Sequence, residues 1–533
     1  MARSTKFFSS CGLILMLAAS GTSARAAELR RDPPSLFTLG GAVRTLNAEA
    51  LGVPDAVEAY TINVDPKAVV AGRRSFSIDL PTGQTLEAVR TRFVDYRPGW
   101  QSWFGSLRVK GDSKPGQGFV YLGRHGDRLT ASIELDGERY RIVGGALGEP
   151  HRLVRRNPDL SIPSCGMDEL TRGGKIPKEA LQPKPKAAGS ELAAAVGPTR
   201  IDVLAIYPKA FFVSPPSEIY LVDFVEDSIA LANNVFANSN VNAFYNLTYV
   251  GPIVQGQPPS TGIFDALTWL NTPTTEVQNL RNAFGADVVA IYVPFYWSAN
   301  AYCGVANLPQ NNNTFVSSTG TVLAPMGDRA FTANRDSCGL DDFTLGHEIG
   351  HNYGMRHDNE TTASPALFPN GRGYLFTPGG QNKATVMGCY CVTGCTAGPS
   401  PVCNRVPYFS DPAINYLGVP TGTSTRNNAD VGRTQVAGYA AFRAQSTNTP
   451  PTASFTKSCT GRTCTVNASG STDNVAIPAG GYWWDFGDGT TGTGKIPTAH
   501  TYAAGTGTSF WIHLVVTDSG GQQDFGADLV NVP

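Results

Sequence analysis

Residues 347–358 read HEIGHNYGMRHD, a stretch that asks for a helix, a stop and a return of the chain in quick succession. On a helix, His347 and His351 are i and i+4 and project from one face, close enough to share a Zn²⁺ at about 2.0–2.1 Å. Leu345, Ile349 and Tyr353 point the opposite way, so the back of the helix can be buried while its front holds metal. Gly354 suits a left-handed C-cap that reverses the chain and brings His357 back as third ligand. Three protein ligands leave the fourth position open, as catalytic zinc requires. Glu348 points about 100° round the helix from His347, so it would reach the zinc-bound water rather than the metal and act as general base. A solvated helix carrying a histidine pair would need neither Gly354 nor His357. A structural zinc site would need a fourth protein ligand and would have no use for Glu348.

The chain before this string is organised in two parts. Residues 27 to about 180 read as β-rich, with Leu129 to Leu135 and Glu138 to Val143 flanking Asp136-Gly137, a two-residue hairpin turn signal. The stretch from Leu181 to Pro198 has the Pro, Lys, Ala and Gly content of a linker open to proteolysis. From Ile201, IDVLAIY reads as a short apolar strand. Pro215-Pro216-Ser217 then opens a helix whose Val222, Val225, Ile229 and Phe236 follow a 3.6 period. A second helix is expected over about Thr275 to Phe284, a buried strand from Ala286 in ADVVAIYVPF, and a last helix near Val431 to Ala444. Strands alternating with helices argue an α/β layer.

The extended motif HExxHxxGxxH resembles that of the metzincin metalloendopeptidases, and Asp358 after it is similar to the reprolysin or adamalysin branch. The likeness covers about residues 199 to 445. It implies an α/β catalytic domain with a mixed sheet, a zinc-binding active-site helix and one catalytic Zn²⁺ held by His347, His351 and His357. It also implies Glu348 as the catalytic residue, and a cleft whose edge strand pairs with an extended substrate by strand addition. Metzincins place a methionine turn below the zinc, and ATVMGCY offers Met387 there. Cys389 and Tyr390 depart from the branch's pattern, and Tyr390 does not match the spacing of the tyrosine some metzincins use. Cys165, in IPSCGMDE, resembles the cysteine switch of metzincin zymogens, in which a propeptide thiolate takes the open zinc position. The alternative is an ordinary disulfide, with some other cysteine left free.

At the other end, NASGSTDN, WWDFGDGT from Trp483 to Thr490, HTY from His500 and WIHLVVTDSGG from Trp511 resemble a PKD (polycystic kidney disease) domain, an immunoglobulin-like β-sandwich. Asp485 and Asp488 are expected to order a turn by local hydrogen bonds. The resemblance implies attachment to an insoluble protein or polysaccharide surface.

At 533 residues two to four domains are expected. The division is 1–26 signal peptide, 27–198 β-rich propeptide with linker, 199–445 catalytic domain and 449–533 PKD-like sandwich. Arg3 and Lys6, the apolar run from Gly12 to Ala19 and the site Ala24-Arg25-Ala26 read as a secretory signal. That run is too short for a membrane anchor, so the expected location is extracellular. The net charge of −1 supplies no field to gather nucleic acid. Export leaves nine cysteines to pair, an odd number. Cys459 and Cys464 can only reach each other within a C-terminal module. One connectivity joins Cys303 to Cys338 and makes two pairs among Cys389, Cys391, Cys395 and Cys403, leaving Cys165 alone. The expected function is a secreted zinc endopeptidase made as a zymogen and acting on protein or peptide substrates. Calcium is left open. The alternative is an adhesion protein on an inactive protease scaffold.

Overall fold

A computed structural model describes residues 32–48, 51–112, 118–157, 197–213, 215–272, 275–294, 296–297, 302–309, 324–336, 338, 340–358, 367–388 and 404–533. The expected signal peptide, Cys165, Tyr390, the cysteines from Cys389 to Cys403 and most of the linker lie outside these residues.

The β-rich N-terminal region forms one antiparallel sheet of nine strands: β1 (Phe37–Ala42), β2 (Ala56–Val64), β3 (Ser75–Asp79), β4 (Thr85–Arg97), β5 (Trp100–Val109), β6 (Gly118–His125), β7 (Arg128–Leu135), β8 (Glu138–Val143) and β9 (His151–Arg156). The order is β1-β2-β9-β8-β7-β6-β5-β4-β3. A bridge between Ser35 and Ser77 brings the first edge against the last, so the sheet curls into a half-barrel. Its interior holds Phe76, Trp103, Leu122 and Leu153. The β7–β8 turn lies at Asp136-Gly137, both with positive φ, as a type I′ hairpin requires.

The central domain is a mixed sheet of β10 (Thr199–Pro208), β11 (Ala243–Ile253), β12 (Val288–Val293), β13 (Gly304–Ala306) and β14 (Phe331–Arg335), in the order β11-β10-β12-β14-β13. Every neighbour pair is parallel except β13–β14. Helix α1 (Pro215–Asn238) packs on one face, while α2 (Ile263–Asn271) and α3 (Thr275–Phe284) cover the other. With both faces covered, a strand such as IDVLAIY is buried along its whole length. Helix α4 (Thr344–Asn352) lies beside α1. The last helix, α5 (Asn428–Tyr439), differs from the expected span. It begins at Asn427, whose side chain caps the Asp430 N–H at 3.1 Å, and it stops before Ala444. Helix α2 was not expected from the sequence, although its buried Ile263, Ala266, Leu267 and Leu270 recur at helical spacing.

The C-terminal residues form two facing sheets around Trp484, Tyr502, Ile512 and Leu514. Cys459 and Cys464 sit opposite each other in a hairpin and are disulfide-bonded, and Cys303 is bonded to Cys338. Asp485 and Asp488 accept the backbone N–H groups of Gly487 and Thr490 at 2.9 and 3.0 Å. This sandwich is docked on the central domain: the His513 ring stacks on Phe212 at 4.0 Å and lies 3.2 Å from the Glu218 carboxylate of α1.

Candidate metal centre

All of α4 is buried. Leu345, Ile349 and Tyr353 enter the core beneath it, as the helical spacing requires. Gly354 follows with φ +91°, and the N–H groups of Gly354 and Met355 return to the carbonyls of His351 and Gly350 at 2.9 and 3.0 Å. This left-handed cap ends the helix and turns His357 back over it.

The three Nε2 atoms of His347, His351 and His357 then converge, at 3.0 Å for 347–357 and 3.1 Å for the other two pairs. Nδ1–H of His347 donates to the Val386 carbonyl at 2.7 Å, and Nδ1–H of His351 to that of Met355 at 3.0 Å. With Nδ1 holding the proton, a neutral imidazole presents only a lone pair at Nε2. Burial pushes both His347 and His351 well below the ordinary histidine range. Arg405 adds to this at His347 and His357 at His351. The His347 and His351 rings are therefore neutral, with their Nε2 lone pairs turned toward each other and toward His357 Nε2. That donor set fits a cation: tetrahedral zinc at about 2.0–2.1 Å spaces its nitrogens by about 3.3 Å, close to the separations here. His347, His351 and His357 form a site for catalytic Zn²⁺. The two carbonyls fix the ring orientations, as outer partners of metal-bound histidines do.

Met387 is fully buried and lies under the helix. A Cβ on Gly350 would come within 2.7 Å of its sulfur, so the glycine permits this approach. The Glu348 carboxylate lies on another side of α4, against β13, the edge strand. A Cβ on Gly304 would stand 2.4 Å from Glu348 Oε1. The Cys303–Cys338 disulfide ties that strand to the loop entering α4.

Two contributors escaped the sequence reading. Gly304 is one glycine among 58. Arg405 is 3% exposed and donates to the carbonyls of Asp342 and Gly388 at 2.7 and 3.1 Å. Its charge reaches both His347 and His351. Neither carries a local signal, since only the folded chain brings them beside residues 347–357.

Residues 221–424 match a family described as Metallo-peptidase family M12B Reprolysin-like, and residues 448–532 match the PKD domain. A peptidyl-Asp metalloendopeptidase of Stenotrophomonas maltophilia is 26% identical over 456 residues, covering 81% of this chain and 97% of the relative. One of Xanthomonas campestris is 26% identical over 457 residues, covering 83% and 100%. The crystallised PKD1 domain of the Vibrio cholerae metalloprotease PrtV is 30% identical, covers 16% of this chain and 96% of its own, and has a TM-score of 0.14. No helix among the described residues is long and apolar enough to cross a membrane.

Proposed function

We propose that this chain, a zinc metalloendopeptidase whose residues 221–424 are a reprolysin-like M12B domain followed by a PKD domain, is exported as a latent precursor and cuts proteins beside aspartate. The convergence of three histidine Nε2 atoms, with the Glu348 carboxylate beside the edge strand β13, carries the reading. Zinc, when bound, supplies Lewis acidity that lowers the pKa of water and polarises a carbonyl. The work left to the chain is positioning and proton transfer. Strand β13 offers its outer edge to an extended peptide, whose backbone pairs there irrespective of side chains. Glu348 accepts a proton from the attacking water and returns it to the leaving amide nitrogen. Met387 packs beneath α4 and holds the ligand-bearing turn from below.

The relatives' name supports aspartate as the selected residue, and Arg405 is the group we assign to select it. A guanidinium suits a carboxylate partner because it is always charged and can bond both oxygens.

Latency is supported by exposure: His347, Glu348, His351 and His357 are between 0% and 6% exposed in the full chain, too little for a polypeptide to enter. The half-barrel would be the propeptide, and Cys165 the thiol that takes the fourth position on zinc. The charged N-terminus, the apolar run after it and the disulfides support export, and the PKD sandwich would hold the enzyme on an insoluble protein or polysaccharide.

The test is digestion of an unfolded protein by linker-cut enzyme separated from its half-barrel, with fragment ends read by mass spectrometry. Cutting that stops with a chelator and in Glu348→Gln is expected, with ends at aspartate. Arg405→Met should lower kcat/KM on aspartyl peptides by about 30-fold or more and leave cutting of other peptides less affected. A zinc-loaded, propeptide-free chain that cuts nothing would overturn the reading.

A further inference from the structure

Among the described residues, one cluster of polar contacts between the half-barrel and the catalytic domain gathers on a single face of α1. Asp223, Glu226 and Asp227 lie at i, i+3 and i+4 of α1 and so share a face, and all three are buried. Two hairpin ends of the half-barrel meet them, the β4–β5 turn after Arg97 and the β6–β7 turn between His125 and Arg128. Arg128 grips Asp223 with two bonds of 2.7 Å. Arg97, half exposed at the rim, pairs with Glu226. His125 lies between them: Nδ1 is 2.6 Å from Glu226 and Nε2 is 2.8 Å from Asp227. The Tyr121 hydroxyl donates to the same Asp227 oxygen at 2.6 Å, Thr130 Oγ1 is 3.3 Å from His125 Nε2, and Asp127 flanks Arg128 on the half-barrel side.

Carboxylates only accept, so an imidazole bonded to one through each nitrogen must carry both protons and be cationic. Three carboxylates of the catalytic domain are thus matched by three cations of the half-barrel. A neutral His125 would turn a lone pair toward one buried carboxylate, and breaking half of a buried pair is costly.

The half-barrel also reaches the elements that carry the metal centre. Phe119 packs on Phe343, which precedes α4, and Arg139 donates to Asn404 Oδ1 at 2.6 Å. Lys383, three residues before Val386, is 3.2 Å from Glu134. A half-barrel held at α1 is therefore held over the catalytic helix as well.

We propose that the half-barrel is a separable inhibitor that stays bound after the linker is cut, and that His125, clamped between Glu226 and Asp227, is the point at which rising pH releases it. This rests on the precursor reading given above. Burial alone would lower the pKa of His125, but Asp223, Asp227 and Glu226 outweigh it and hold the ring well above 6.5. A group whose pKa is higher docked than free favours docking below its free value and loses that contribution as pH rises through the docked one. Asp223, raised by burial against the pull of His125 and Arg128, shifts docking in the same direction. Cutting the linker at neutral pH therefore leaves a complex, and alkaline conditions free the enzyme.

The experiment uses the full chain with Glu348→Gln to prevent self-digestion and a site for a specific protease placed within residues 181–198. After cutting, the fragments should co-elute in size exclusion at pH 7 and separate at pH 9. Between the free and the docked pKa of His125, the dissociation constant should rise about tenfold per pH unit, as one proton lost on release requires, and level off above the docked value. Asp227→Asn should flatten this slope, because an amide can donate to a neutral His125. Glu226→Gln gives the same readout if that variant does not fold. Arg97→Ala, at the exposed rim, should weaken binding at every pH and leave the slope unchanged. Fragments that part at pH 7, a wild-type affinity flat from pH 7 to 9.5, or an unchanged slope in both amide variants would overturn the proposal. The same cut made in the wild-type chain separates the two readings: release without peptidase activity supports the clasp and refutes the protease.

Discussion

Gly304→Ala tests the link between the sheet edge and Glu348, the proposed general base, with a single methyl group. Gly304 has no left-handed φ, so alanine is permitted by the backbone and the effect is steric alone. The new Cβ would stand 2.4, 2.5 and 2.7 Å from Oε1, Cγ and Cδ of Glu348, against about 3.5–4.0 Å for relaxed carbon contacts. Either the carboxylate or the edge strand must move by about 1 Å, and a misplacement of that size costs about 10²-fold in rate. Overpacking should also lower stability by about 1–3 kcal/mol. The assay is kcat on a peptide substrate with linker-cut enzyme freed of the half-barrel, alongside zinc content by mass spectrometry and a thermal melt. Zinc should stay stoichiometric while kcat falls, because the nearest atoms to the new Cβ all belong to Glu348 and none to the three histidines. Gly346→Ala on the same helix is the control. Its Cβ would meet only Ala232, at an ordinary 3.4 Å, and alanine should stabilise the helix by about 1 kcal/mol with kcat retained. Full kcat in Gly304→Ala would refute the placement of Glu348 against the edge strand. Loss of zinc would show that the whole centre had been disturbed.

Replacing Cys303 and Cys338 together with serine opens a loop of sequence separation 35. It should cost about 4 kcal/mol, read as a fall in denaturant midpoint, and an unchanged midpoint would show that the bond contributes nothing to anchoring β13. Phe212→Ala removes the ring stacked on His513 and should detach the sandwich from the catalytic domain. Calorimetry should then resolve a separate transition for the PKD domain, whereas one cooperative transition in the variant would argue that Phe212 is not the anchor. Removing zinc by chelation should lower the melting temperature, because a ligand that binds only the folded state stabilises it by about 4 kcal/mol at a thousand times its dissociation constant. Identical melts with and without metal would contradict a bound ion at His347, His351 and His357.

The zinc ligands were legible in the sequence because everything that places them is local. The helical period puts His347 and His351 on one face, and a glycine that alone tolerates φ +91° returns His357 a few residues later. The Asp136-Gly137 hairpin was readable for the same reason, since a type I′ turn selects its two residues directly. The limits of α5 were not readable, because its caps set them; α2 was missed although Ile263, Ala266, Leu267 and Leu270 follow the helical period.

Contacts between residues far apart in the chain belong to the tertiary structure alone. Gly304 meets Glu348 only after β13 pairs with β14, and Arg405 comes within Coulombic reach of His347 only after the chain has passed beneath α4 at Met387. His125 reads in the sequence as an isolated histidine in a β-rich region. It becomes a buried cation because the β6 end docks on a helix more than ninety residues away, where two carboxylates accept both of its protons. Local backbone preference is enough to build a metal-binding turn. A charge buried between domains is specified only by the packing that removes its water.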